Sequence, residues 1–237
     1  MGYGRKHAEL YDAVFTSRGK DWSAEAATVA GIALARRPGA QSLLDVACGT
    51  GAHLAAFAGH FAHVEGVEPA AAMREIAERR VPGLVVHPHD MREIAVDREF
   101  DVVTCLFYAI TYMPTPADLT AAVAAMARCL APGGVLVIEP WWTPDRFIDG
   151  YVGGHLVEER DRVVSRVTHS VREGDRVRMT IDFTIADHTG VDAFRETEVV
   201  SLFGPDDYRR AFEHAGLVGE HLPGWAAGTG LHVARRA

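Results

Sequence analysis

No apolar run among the 237 residues approaches the ~20 needed to cross a bilayer, so no membrane partner is expected. The opening stretch MGYGRKHAELYD lacks the apolar core of a secretory leader, which makes the cytoplasm the expected compartment. Cysteine is scarce: Cys48, Cys105 and Cys129 stand alone, without the spacing of a disulfide framework or a metal knuckle. His87 and His89 flank Pro88 but have no third ligand at a metal-binding distance, so no metal is expected. Positive charge is also in deficit, with 24 Lys and Arg against 32 Asp and Glu and a net charge of −8. That balance excludes a general grip on nucleic acid, which needs a basic field. A small anionic substrate stays compatible, because one or two local arginines suffice for it. Internal repeats and low-complexity segments are absent as well.

Against these absences stands an ordinary globular composition, 48% hydrophobic with a mean hydropathy of +0.00. The length allows one α/β domain with a small insertion. Residues 1–20 read as irregular, and DWSAEAATVAGIALARR reads as a helix stopped by Pro38-Gly39. From Leu43 strands and helices alternate: strand 43–47, helix 52–61, strand 64–68, helix 70–80, strand 84–87, strand 100–106, helix 117–130, and strand 135–139 after the turn Pro132-Gly133-Gly134. Such alternation implies right-handed crossovers and a mostly parallel sheet, with ligands at the carboxyl ends of the strands. Beyond Pro140 the period changes to two. Residues 161–172, the run Val177 to Ile185 and a third run Glu198 to Phe203 form an antiparallel insertion over 155–203 that covers those strand ends. A helix from Pro205 to Ala215 and a final hairpin through Gly228-Thr229-Gly230 to Val233 close the chain.

The segment Ser42–Gly51, SLLDVACGTG, carries most of the functional information. An apolar strand runs into the small-residue loop Ala47-Cys48-Gly49-Thr50-Gly51 and then into a helix, the arrangement that holds nucleotide-like ligands. A pyrophosphate-binding loop needs a third small residue three positions on, and Leu54 stands there instead. An NAD-dependent oxidoreductase is disfavoured on that ground. The next strand, Val64-Glu65-Gly66-Val67, ends in Glu68, placed to accept both hydroxyls of a ribose. Asp90-Met91 follows the apolar patch Leu84-Val85-Val86; the Asp can accept from an adenine amine and the Met can cover the base. A glycine loop, a ribose acid and an adenine-edge Asp without a phosphate device match S-adenosylmethionine (SAM), a nucleoside with an amino-acid tail.

The stretches LLDVACGTG, VEGVE, HDM, FDVVTCLF and LAPGGVLVIEPWW resemble the class I SAM-dependent methyltransferases over residues 40–140. Three further stretches are AELYD with RGKDW near the start, EPWWTPDRFIDGYV after the last parallel strand, and SRVTHSVREGDRVRM in the insertion. These resemble, more narrowly, the N,N-dimethyltransferases that act on dTDP-linked deoxyamino sugars in macrolide-type antibiotic biosynthesis. The resemblance implies a Rossmann-like fold, a doubly wound, mostly parallel sheet with an antiparallel β insertion over the active site. It implies a SAM-binding core with an N-terminal lid over 1–140, an insertion over 141–203 for substrate and dimer contacts, and a C-terminal helix and strand over 204–237. A homodimer and a nucleotide-sugar substrate are implied with it. Carried over by position, Tyr11 and Arg18 close over the methionine tail. Ala47, Gly49 and Gly51 line the loop, Glu68 holds the ribose, Asp90 and Met91 the adenine, and Leu106 the donor side. Trp142 with Arg166, His169, Arg172 and Arg178 meets the sugar nucleotide. This chain departs from the family at Thr229, where an Arg is expected between the last two glycines, and at the bulky stretch Tyr108 to Tyr112.

Methyl transfer from a sulfonium is an in-line displacement, and orientation alone supplies roughly 7–11 kcal/mol of its barrier. A sugar amine near pH 8 is partly neutral, so no dedicated base is assigned; Tyr112 and Tyr108 are the candidates for orienting the amine. Two alternatives remain open at this point. One keeps the chemistry and changes the acceptor to another small-molecule amine or a hydroxyl; the other is a SAM-binding protein without catalysis.

Overall fold

The computed structural model describes residues 4–225 and 229–236. In chain order the first half contains α1 (Arg5–Ser17), α2 (Trp22–Arg36), β1 (Ser42–Val46), α3 (Ala52–Phe57), β2 (His63–Val67), α4 (Ala71–Arg80), β3 (Val85–His87) and β4 (Phe100–Cys105). A 3-10 turn at Ala109–Tyr112, α5 (Pro116–Arg128) and β5 (Leu130–Ile138) follow. The second half contains β6 (Tyr151–Glu158), β7 (Arg162–Glu173), β8 (Arg176–Asp187), β9 (Gly190–Ser201), α6 (Pro205–His214), β10 (Leu217–Leu222) and β11 (Leu231–Arg236).

Seven strands form one sheet in the order β10-β11-β5-β4-β1-β2-β3, all running the same way except β11, which is antiparallel to both its neighbours. Every residue of β1 is buried, as expected of a central strand covered on both faces. One face packs on α5 and α6 through Leu44, Val103, Leu119, Met126 and Phe212. The other packs on α2 and α3 through Leu43, Val29, Ala33, Leu54 and Phe57. The chain winds outward from β1 in one direction and from β4 in the other, so their carboxyl ends open the crevice at which such sheets bind ligands. Asp21 caps α2 by accepting from the Ala24 amide at 2.9 Å, and Thr115 caps α5.

The second sheet has the order β6-β7-β8-β9 and is antiparallel throughout. Its inner face meets α1 through Leu10 and Val14 against Val157, Val164, Ile181 and Phe183. It also meets the segment after β5, through Trp141, Trp142 and Phe147 against Val177, Val200 and Leu202.

Several expectations need correction. Residues 5–17 are helical rather than irregular. Their buried stripe, His7, Ala8, Leu10 and Val14, is interleaved with charged residues and yields a weak pattern until the insertion supplies a surface to cover it. The insertion has four long strands, not three runs. Gly153 and Gly154 dilute the alternation of β6, and the run expected at Glu198 is only the end of β9, whose first half is exposed and polar. The helix expected over 52–61 ends at Phe57. The expected final hairpin exists as β10 paired with β11, although Gly228 lies outside the described residues.

Two buried histidines make stability depend on pH. Burial, with the Arg166 charge adding to it, pushes His7 down to about 4. Burial, with His221 nearby, pushes His232 down to about 3, where it stacks on Tyr208 at 4.1 Å between ring centroids. Because the folded chain keeps both neutral, their contribution is full above the unfolded histidine pKa and is lost as pH falls toward these values. Denaturant unfolding between pH 6.5 and 4.5 is expected to show stability falling with acid. His232→Phe, which keeps a ring on Tyr208, should flatten that slope by about 1.4 kcal/mol per pH unit relative to the parent. An unchanged slope means His232 is protonated in the fold.

Candidate active site

The loop after β1 turns sharply: Ala47, Gly49 and Gly51 have φ of 58°, 57° and 73°. A Cβ on Gly51 would stand 2.9 Å from the Ala77 Cβ, so glycine there lets the loop pack on α4. At Gly49 nothing lies within 4 Å, so this backbone borders open space. Leu54 is fully buried, with its Cδ1 only 2.7 Å from where a Gly66 Cβ would be, so it packs α3 onto β2. Glu68, buried just past β2, accepts from the Gly49 amide at 3.0 Å and the Ala70 amide at 2.8 Å, one on each oxygen. Burial raises its pKa, against these two bonds and the Arg74 charge. A carboxylate has about four lone-pair sites, so both oxygens keep capacity for a ribose diol.

Asp90 is engaged more than its sequence position suggests. The Arg92 side chain grips both its oxygens at 2.9 Å, the Arg92 amide adds a third bond, and the guanidinium holds the carboxyl below the usual range. One acceptor site remains on Oδ2, enough for one adenine amine hydrogen. Met91 is buried in the core cluster with Leu44, Val46 and Val67 rather than lying open to cover a base.

Opposite the glycine loop an aromatic group closes the crevice. Tyr11 stacks on Trp22 at 6.5 Å and meets Phe15 edge-on at 4.8 Å; Phe107 meets Phe15 at 4.8 Å and Trp22 at 5.7 Å. Lys20 lies 3.8 Å from the centroid of Phe107 and pairs with Glu25 at 2.6 Å. Glu25 in turn pairs with His53 at 3.0 Å. This network ties the start of α2 to the helix after the glycine loop. Arg18 is exposed at the end of α1, 5.8 Å from the Phe15 ring, and is not among the residues bordering the crevice; Tyr11 and Leu106 are.

Three residues beyond the sequence-based candidates also shape the site. Asp45 borders the crevice from the middle of an otherwise apolar strand, accepts from Thr104 at 2.6 Å, and is pushed by burial up to about 6. A lone acid in such a strand was the available signal. Phe107 joins Tyr108 in the left-handed region, with φ of 53° and 64°, where neither is at ease. Glu139, fully buried after β5, accepts the Phe107 amide at 2.6 Å and so clamps this loop. Burial raises the Tyr108 phenol well above its ordinary pKa, with Glu139 and Glu25 adding to it, so Tyr108 acts as a donor and not as a base.

The insertion divides its candidates by face. Arg166 and Arg172 point inward with Val164, Thr168 and Ser170, while His169 points outward with Val163 and Val167, as strand alternation requires. Arg178, opposite Val171, shares the outer face and pairs with Glu173 at 2.5 Å. The structure therefore brings neither His169 nor Arg178 to the crevice of its own chain. Arg172 spends its guanidinium on the carbonyls of Pro144 and Gly174, which fixes the segment after Trp142. Trp142 is half-buried under Arg146, 5.3 Å from the guanidinium. Arg166 stays near the crevice mouth, 6.0 Å from the Phe15 ring, and Tyr112 donates to Glu198 on β9 at 3.0 Å. At the other departure, the Thr229 carbonyl lies 3.0 Å from His221 Nε2.

Residues 43–134 match the family described as a methyltransferase domain. A dTDP-4-amino-2,3,4,6-tetradeoxy-D-glucose N,N-dimethyltransferase from Saccharopolyspora spinosa is 51% identical over 99% of this chain and 94% of its own length. A dTDP-3-amino-3,4,6-trideoxy-alpha-D-glucopyranose N,N-dimethyltransferase from Streptomyces venezuelae is 44% identical over 98% of each chain. The SAM-bound structure of an amino pentose methyltransferase of calicheamicin biosynthesis, from Micromonospora echinaspora, superposes with a TM-score of 0.90. It is 49% identical, covering 96% of this chain and 97% of that one. The chain belongs to the SAM-dependent sugar N,N-dimethyltransferases.

The crevice of this methyltransferase fits its cofactor on its own chemistry. Among the described residues bordering it, none is Lys or Arg, and Asp45 supplies negative charge beside the glycine loop, which suits a ligand carrying an ammonium and a sulfonium. Leu106 and Phe107 border the crevice, and Glu68 is bonded to the Gly49 amide of its loop. Glu68→Gln should weaken SAM binding by roughly 10- to 100-fold, the worth of a charged hydrogen-bond pair, with little change in secondary structure. Calorimetric titration of SAM checks this, and an unchanged affinity removes Glu68 from the ribose.

Proposed function

We propose that this methyltransferase transfers methyl groups from SAM to the amino group of a dTDP-linked deoxyamino sugar, in two successive steps, during antibiotic biosynthesis. The observation that carries the reading is similarity along nearly the whole chain, insertion included, to enzymes named for that reaction. SAM supplies an electrophilic methyl on a sulfonium, and the chain's own residues do the rest by placement. Asp45 and Glu68 fix the cofactor at both ends, while the loop Leu106–Tyr108, held by Glu139, forms the wall beside the donor. Tyr11 and the start of α2 exclude water from above. Tyr108 and Tyr112 orient the acceptor, with Trp142 and Arg166 on the insertion side for the sugar nucleotide. Orientation then provides roughly 7–11 kcal/mol of the barrier. The chain divides by role into a SAM-binding core over 1–140, an insertion over 141–203 and a closing helix and strands over 204–237.

The working unit is a homodimer. Val152, Leu156, Val163 and Val167 are exposed together on the outer face of the second sheet, with Val191 on its far strand. An exposed apolar sheet face of this kind favours a partner, and a second copy provides an identical one. The three buried, unpaired cysteines suit a reducing compartment, and the cytoplasm is where we place the enzyme.

Incubation with methyl-deuterated SAM and a panel of dTDP-3-amino and dTDP-4-amino sugars should yield one panel member carrying two labelled methyl groups on nitrogen, read by mass spectrometry. Label on oxygen, or none while SAM binds, would overturn the acceptor. Val167→Glu is expected to convert a dimer into a monomer in light scattering; a parent that is already monomeric refutes the dimer.

A further inference from the structure

The inner face of the insertion carries polar groups that packing alone does not explain. Thr168 is 5% exposed, and its Oγ1 is buried with no hydrogen-bond partner. An orphaned hydroxyl in a protein interior costs about 1–3 kcal/mol, which a ligand hydroxyl or phosphate oxygen would recover. On the same face, register places Ser170, Met179 and Glu198 in one cross-strand row, and Thr168, Ile181 and Glu196 in the next. Glu198 faces the core: the Tyr112 hydroxyl reaches it from the 3-10 turn that follows the donor loop, at 3.0 Å. Tyr112 lies four positions after Tyr108, so this bond joins the insertion to the wall beside the methyl donor.

We infer that Glu198 is the carboxylate that receives the acceptor amine, with Tyr112 holding it in place and Thr168 meeting a polar group further along the sugar nucleotide. The inference rests on the amino-sugar reading above. It gives the site a reason to prefer nitrogen over oxygen: an ammonium brings a positive charge and donors to an anionic acceptor, and a hydroxyl brings no charge. It also provides for the protons. Each transfer requires the ammonium to give one proton to the Glu198 carboxylate. The freed lone pair then forms the N–C bond as the S–C bond breaks and its electron pair stays on sulfur. The methylated product is again an ammonium, and the Glu198 proton must pass to solvent before the second round. The groups facing Glu198 are Tyr112 from the 3-10 turn, Arg166 from β7 and Glu196 from β9. Burial and Glu196 favour its protonated form, while Tyr112 and Arg166 favour the anion, so the carboxyl sits above its ordinary range.

The test compares a dTDP-amino sugar with the same sugar bearing hydroxyl in place of the amine, by calorimetry on SAM-loaded protein. Glu198→Gln should weaken amino-sugar binding about 10- to 100-fold, leave the hydroxy sugar within about threefold, and leave SAM affinity unchanged. Tyr112→Phe removes the bond that favours the anion, so the acidic limb of kcat/KM for the amine should move to higher pH. Glu198→Gln should abolish that limb. A Glu198→Gln protein that binds SAM and keeps the parent's preference for amine over hydroxyl overturns the inference. Should Glu198→Gln fail to fold, an acidic limb unmoved in Tyr112→Phe overturns it equally. If the parent itself binds no dTDP-amino sugar, the functional reading falls rather than this assignment.

Discussion

The carboxylate of Glu68 organises the cofactor half of the molecule. One oxygen holds the glycine loop after β1 and the other holds the amide at the start of α4, so a single side chain joins two crossovers at the carboxyl edge of the sheet. Buried amides left unpaired cost more than a bond gains, and here both find the same acceptor. The close approach of the loop to α4, which Gly51 permits, keeps the amides within its reach. The acid proposed for the ribose is therefore also the one that fixes the shape of the glycine loop. Its burial is a structural need before it is a chemical one.

Strain gathers where the chemistry is. Among the described residues, Ala47, Phe107 and Tyr108 are the non-glycine positions at positive φ, and all three lie around the ends of β1 and β4. Each such residue costs on the order of 1 kcal/mol or more, and neighbouring contacts hold it. Glu139 grips the Phe107 amide, and the Phe107 ring sits among Tyr11, Phe15, Trp22 and the Lys20 charge. The network of Lys20, Glu25 and His53 closes this roof onto α3. Burial works against the Glu25 charge, yet bonds from His53 and Lys20 hold its carboxyl below the ordinary range. Interlocked rings and the Lys20–Glu25 pair make this roof rigid, as the proposed catalysis by positioning requires.

The insertion does two opposite things with one sheet. Its inner face mixes Val164, Ile181 and Phe183, which anchor α1, with the polar Arg166, Thr168, Ser170 and Glu198, of which Glu198 accepts from Tyr112. Its outer face carries exposed valines and a leucine with His169 and Arg178. The period-two alternation of a strand makes this division automatic once the register is set.

The sequence by itself determined the parallel core, the glycine loop, the acid after β2 and the family, because these depend on local patterns: buried runs, glycine where the backbone turns, and an acid at a strand end. Only the tertiary structure decided which face of the insertion meets the core, and so why Arg166 stays near the site while His169 and Arg178 do not. It likewise decided that residues 5–17 are helical, since their stripe is apolar only when the insertion is there to cover it. The Tyr112–Glu198 bond joins residues 86 positions apart, and Asp45 and Glu139 acquire roles only when β1, β4 and β5 lie side by side. Contacts of that range carry no periodic signature, because nothing in the local chain depends on them until the sheet has formed.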